Sequence, residues 1–318
     1  MDIIVDALCN THAHIRELFE VMRALIILAI KGGTDVILPM PNTKEGLRTC
    51  QEVANYKHQA CSLVPFESNL RVVPILLINE DTTEKEITKC VSAGVRDGKV
   101  YPLDRTTKSH NGVRDYGRLL GKIKHCGEIG MNVHLHPEHP WMAIGNRDAE
   151  YLFLSIAEMF LRLTNATLIW EHGTDARCIQ PWEEMAQTGR FFVTLTAHHL
   201  VSNEDQAFGD VRLTCKPPCK TEQDRLGLIQ LVECGAFTTP FLLQLYAHAL
   251  DDLLASGAGQ KTFVNFTSRN ARKFHRLTPA SRNIQLIRQE FVIPESYQVG
   301  PWYVEPVFAG KPIKYSLA

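Results

Sequence analysis

Short apolar runs alternate with longer, helix-patterned stretches over the first two thirds of the chain. This alternation is the feature that most constrains its fold. The runs include 35–39 (DVILP), 70–78 (LRVVPILLI), 130–136 (GMNVHLH), 166–172 (ATLIWEH) and 190–196 (RFFVTLT). They are too short for helices and rich in Val, Ile, Leu and Phe, as strands buried on both faces are. Helical patterns lie between runs over 19–31, 43–58, 83–93, 116–126 and 148–163. Repeated strand-then-helix order predicts an α/β fold with a parallel sheet. Seven strands are expected, near 3–12, 35–40, 70–78, 94–101, 130–136, 166–172 and 190–196. An eighth would close a TIM (β/α)8-type barrel.

Beyond residue 205 the pattern weakens. Residues 225–234 and 241–255 read as helices, separated only by 235–240, with no apolar strand between them. The tail, about 289–318, holds short β-like pieces (FVIP, WYVEPVF, IKYSL) and reads as a C-terminal β flap. The expectation is one barrel domain over 1–318, incomplete because its strand-eight segment is missing.

Composition sets outer limits. The 318 residues are 45% hydrophobic and 22% charged, enough for one large core. A net charge of −1 gives no electrostatic footprint for nucleic acid or a membrane surface. The N-terminus lacks the basic and apolar regions of a signal peptide, and the longest apolar run, 24–30, is too short to span a bilayer. Nine cysteines, an odd number without a regular framework, fit reduced thiols in the cytoplasm. Cys215 and Cys219 are four residues apart, which could suit a metal, but no second pair or sequence-near histidine completes such a site.

The chemistry is carried by histidines at strand ends. His12 and His14 are two apart on the first strand, so both imidazoles can face one metal ion. A lone pair of this kind is a weak signal, and two core or surface histidines would look the same. His136 ends the fifth strand, His172 ends the sixth, and Lys99 ends the fourth. In a parallel barrel all these ends open onto one face, where active sites lie. His134 is one step deeper on the fifth strand and reads as a supporting or core residue. Arg16 suits a carboxylate through its two-pronged guanidinium, with a surface salt bridge as the alternative. Asn42 could instead cap the following helix, with Thr43 competing for that place.

These residues sit in an ordered set of motifs: His12-x-His14-x-Arg16, Met40-Pro41-Asn42, Lys99-Val-Tyr-Pro, Thr106-Thr107, Leu135-His136-Pro-Glu138, Glu171-His172-Gly-Thr174 and Thr194-Leu-Thr-Ala-His198-His199-Leu200. Together with Cys215-Lys216-Pro217 and the C-terminal VFAGKPIKYSL, the set resembles the single-domain, fungal-like dihydroorotases of the zinc amidohydrolase superfamily. The resemblance implies one Zn2+ on His12 and His14 and a second on His136 and His172. Lys99, N6-carboxylated, would bridge them. It implies that Arg16 and Asn42 hold the carboxylate of a small-molecule substrate, and that Thr106 and Thr107 lie on a loop over it. It also implies reversible opening of a cyclic amide, dihydroorotate to N-carbamoyl-aspartate, in pyrimidine biosynthesis, and a homodimer.

One departure stands out. The family carries an aspartate at the end of strand eight that binds the first zinc and moves a proton, within a motif like GSDSAPH. Here 225–234 runs straight into 235–240 (GAFTTP), and a couple of dozen residues are absent. General acid–base help is worth about 10²–10⁴-fold, so hydrolysis is expected to be impaired or the site repurposed. The alternatives are a pseudoenzyme with a binding role and a truncated or mis-spliced dihydroorotase. Asp210, Asp251 and Asp252 are the nearest acids in sequence that could stand in. Asn10 before the His pair, Pro137 after His136, and Asp97-Gly98 before Lys99 are smaller departures expected to loosen metal binding.

Overall fold

The computed structural model describes residues 2–233, 237–239, 243–299 and 301–318. Residues 234–236 and 240–242, on which parts of the expected helices and of the 235–240 link fall, lie outside the described residues.

Ten strands lead from the N-terminus through the barrel: β1 (Asp2–Asp6), β2 (Leu8–Ala13), β3 (Thr34–Pro39), β4 (Arg71–Val72), β5 (Leu76–Leu77), β6 (Asp97–Val100), β7 (Asn132–Leu135), β8 (Leu168–Trp170), β9 (Phe191–Thr196) and β10 (Phe237–Thr239). All but β1 form two parallel arcs, β2-β3-β4 and β5-β6-β7-β8-β9-β10. The expected 70–78 strand is split. Pro74 has no N–H to donate, and the ladder breaks between β4 and β5. The expected 3–12 strand is two strands, because β1 leaves the barrel to pair antiparallel with β11 (Asn283–Ile287).

The eighth strand position, expected to be vacant, is taken by β10. Its backbone runs parallel to β9, with Thr238 opposite Leu195, and it packs beside β2. No ladder joins β10 to β2 among the described residues. The ring is therefore closed by packing there, not by paired backbone groups, and in that sense the barrel stays incomplete.

Five helices follow their strands as the pattern predicts, Phe19–Lys31, Cys50–Ser62, Glu84–Ser92, Leu120–Ile129 and Asn146–Leu163, and a further helix that the pattern did not mark spans Ile179–Ala186. The helix expected from 43 starts at 50, because Thr49 and Glu52 form a reciprocal capping box. This leaves 41–48 as a loop carrying Asn42. Strand side chains alternate between two cores. Ile37, Val133, Leu135 and Leu168 pack outward in the large helix-facing core. Cys9, Val36, Leu38 and Ile169 point into the barrel with Met40, Ile75 and Ala271. The tail strands β12 (Phe291–Val292), β13 (Tyr297–Val299), β14 (Trp302–Val304), β15 (Pro312–Ile313) and β16 (Ser316–Leu317) form small antiparallel pairs, and β16 joins β11. No helix among the described residues is long and apolar enough to cross a membrane.

Candidate metal centre

The inward positions of β6 and β7 are polar where those of β3 are apolar. Asp97 and Lys99 on β6, and His134 on β7 with His136 just beyond it, are all buried. Gly98 between them has a packing reason, since a Cβ there would meet Ile78 at 2.4 Å. The acid before it is also compensated: Asp97 Oδ1 lies 3.1 Å from both His134 Nε2 and His275 Nδ1 and accepts from Asn132 Nδ2. Asp97-Gly98 is thus part of the barrel's internal bonding.

At the C-terminal strand ends the four expected imidazoles meet. His12 Nε2 and His14 Nε2 are 3.3 Å apart. The His172 ring centroid lies 4.9 Å from that of His12 and 4.8 Å from that of His136. Lys99 sits among them, and its charge bears on all four. Burial lowers His12 to about 4 and, with the neighbouring imidazoles, holds His14 and His172 well below the usual range. Neutral imidazoles are the metal-binding form. Burial also lowers Lys99 to about 8.

Carboxylates back these rings. Glu171 Oε2 lies 3.1 Å from His12 Nδ1, and its Oε1 contacts His134 Nδ1. Thr194 Oγ1 donates to Glu171 Oε2 at 2.7 Å. Glu138 Oε2 lies 2.8 Å from His136 Nε2 and so leaves Nδ1 of that ring for another partner. Burial opposes ionisation of Glu171, yet its contact with His12 and the charge of Lys99 hold its carboxyl well below the usual range. Carboxylates behind metal-binding histidines fix their tautomer and aim. His172 takes a left-handed backbone (φ 41°), a conformation rare outside glycine and common at functional sites. Gly173 follows because a Cβ there would strike Trp182 at 2.6 Å.

The donor set fits a metal ion. Lys99 Nζ, His14 Nδ1 and His172 Nδ1 are buried with no hydrogen-bond partner among the described residues. Such orphans are costly, and their clustering calls for an account. Two nitrogens about 2.05 Å from one tetrahedral ion would stand about 3.3 Å apart, the separation of the His12 and His14 nitrogens.

The remaining candidates form a chain beside this cluster. Arg16 Nη1 donates to Asn42 O at 3.0 Å, and Asn42 Nδ2 donates to Thr107 O at 3.1 Å. Thr106 N is held by Ser109 Oγ at 3.1 Å. Asn42 does not cap a helix here. Asn10 Oδ1 accepts from His12 N at 3.1 Å and so braces the first imidazole. The stand-in acids are elsewhere: Asp251 pairs with Arg288, Lys314 and Tyr315, Asp210 with Arg212, and Asp252 is exposed. Sequence reasoning gave no role to Glu171, Glu138 or His275. A carboxylate two residues after His136 and one directly before His172 were the available signals.

The fold is that of a parallel TIM-type barrel, with imidazoles and a buried lysine gathered at its strand ends. No protein-family model matches the chain. It is 26% identical over 344 residues to the dihydroorotase of Nitrosomonas europaea, covering 96% of this chain and 95% of the relative. It is 26% identical over 330 residues to a probable dihydroorotase of Schizosaccharomyces pombe, covering 93% and 94%. Among solved structures, a Saccharomyces cerevisiae dihydroorotase complexed with 5-fluoroorotic acid superposes with TM-score 0.91 at 22% identity, covering 100% of this chain and 98% of that one. The L-hydantoinase of Arthrobacter aurescens shares the fold at TM-score 0.83 and 14% identity, covering 98% and 82%. So does an inactive dihydroorotase-like domain from Chaetomium thermophilum, at 0.71 and 14%, covering 99% and 91%. The chain is thus similar to dihydroorotases over nearly its whole length and shares their fold.

Proposed function

We propose that the chain is a zinc-dependent hydrolase of cyclic amides whose substrate carries a carboxylate, with dihydroorotate as the first candidate. The observation that carries this is the meeting of four neutral imidazoles and a bare, buried Lys99 at one rim. His12 and His14 would hold one ion, and His136 and His172 another. Lys99, as the N6-carboxylate, would join the two, since a neutral amine adds carbon dioxide and releases a proton. Zinc bound there would polarise an amide carbonyl and bring the pKa of a water from about 15.7 to about 7.

The chain's own residues do the rest. Glu171 and Glu138 orient His12 and His136. Arg16, tied to Asn42, offers its remaining donors to a carboxylate, and Thr106 and Thr107 cover that position through the Asn42–Thr107 bond. The flap over about 289–318 completes one barrel domain, and the protein acts as a homodimer in the cytoplasm.

One observation favours a second reading, an inactive homologue that binds ligand. The eighth strand position carries Phe237, Thr238 and Thr239, none of them a carboxylate. Loss of the general acid–base group predicts ring opening lowered by about 10²–10⁴-fold. The test is elemental analysis of the purified chain together with a dihydroorotate ring-opening assay. Bound zinc with measurable turnover supports the enzyme. Bound zinc without turnover supports the ligand-binding homologue. Absence of both zinc and turnover would falsify the metal-hydrolase reading.

A further inference from the structure

A second cluster of metal-binding side chains lies outside the centre just described. The segment after β9 forms a short helix, Ala197–Val201, that carries His198 and His199. The 215–219 loop folds against it. Cys215 Sγ lies 3.5 Å from His199 Nε2, and one ligand atom from each of His198, His199 and Cys215 lies within 4.8 Å of the others. Cys215 Sγ also donates to Pro217 O at 3.2 Å. In sequence the cysteine pair had no histidine near it. The fold supplies two.

We propose that Cys215, His198 and His199 form a separate zinc site that fastens the 215–219 loop to the end of β9. A thiolate and two imidazoles give zinc three protein ligands, and soft sulfur with imidazole selects zinc over hard cations. A nitrogen about 2.05 Å and a sulfur about 2.3 Å from one tetrahedral ion stand about 3.5 Å apart, as His199 Nε2 and Cys215 Sγ do.

The competing account makes His199 a satisfied core residue that donates from Nε2 to Pro217 O at 3.1 Å and accepts from Thr196 at Nδ1. The other tautomer gives up the bond to Pro217 O and keeps the one to Thr196. Nδ1–H donates to Thr196 Oγ1 at 2.5 Å, which aims the Nε2 lone pair at Cys215. Burial holds His198 at about 4 and, with His198 beside it, keeps His199 neutral, so neither must lose a proton to bind. The Cys215 thiol would release its proton to solvent as the metal–sulfur bond forms.

The test titrates the full-length, reduced, metal-free chain with Co2+ and follows thiolate-to-cobalt charge-transfer absorption. The site predicts a band that saturates at one ion per chain. It persists when the first centre is removed by His12→Ala with His14→Ala, and it disappears in Cys215→Ser. Absence of the band in the unaltered chain, or a band untouched by Cys215→Ser, overturns the proposal. A second readout does not depend on the variants. Zn2+ should shield the Cys215 thiol from a thiol reagent while exposed Cys61 reacts at its metal-free rate. Equal rates for all thiols with and without Zn2+ also overturn it.

Discussion

Two layers of buried polar groups lie one above the other in the same barrel, and they are solved differently. In the deeper layer every group faces a partner of its own chain. Asp97 meets His134, His275 and Asn132, and His134 meets Glu171 on its other nitrogen. Burial opposes a charged imidazole at His134, but its two carboxylates raise it above the usual range. In the upper layer, one strand step nearer the mouth, Lys99 Nζ, His14 Nδ1 and His172 Nδ1 have no hydrogen-bond partner among the described residues. Buried polar groups that are paired hold a fold together, whereas those left unpaired in a cluster mark what the fold is for.

The sharpest way to break this contrast is to mutate one group in each layer and compare signs. Asp97→Asn leaves two buried imidazoles facing a neutral amide. It should cost about 3–5 kcal/mol, read as a lower urea midpoint. Lys99→Met should act in the opposite direction on the metal-free chain. A lysine lowered from 10.5 to about 8 by burial destabilises the fold below pH 8, and that penalty fades as pH rises from 8 towards 10.5. Removing it should therefore stabilise the metal-free protein at pH 7 by about 3 kcal/mol while abolishing metal binding and ring opening. A loss of stability instead would place Lys99 with the satisfied groups.

Glu150 sharpens the comparison from outside both layers. It holds the loop after His172, accepting from Trp170 Nε1 at 3.1 Å and Thr174 N at 2.9 Å. Burial raises it from 4.5 to about 7. Between those values the folded state keeps a proton that the unfolded state has released, so stability falls as pH rises through the window. The loss is at most about 3 kcal/mol, and Glu150→Gln should flatten this part of the pH–stability curve. An unchanged curve would show that Glu150 is ionised in the fold.

Much of this was legible in the sequence, and the rest was hidden for physical reasons. Seven strands and the inward imidazoles followed from apolar runs and period-two alternation. β10 was missed because three residues, two of them threonine, carry no strand period. The division of 3–12 was missed because the run is apolar across both strands. Glu171 was given no role because neighbours on a strand point to opposite sides. The left-handed turn at His172 breaks that rule and lets both residues serve one centre. His275 and the pairing of His199 with Cys215 depend on long-range folding that no local pattern reports.

The centre itself can be seen directly. Anomalous diffraction at the zinc edge, on crystals of the zinc-loaded full chain, should place a peak about 2.0–2.1 Å from both His12 Nε2 and His14 Nε2. A map without density between those two nitrogens, with the rings bonded only to each other, would contradict the account.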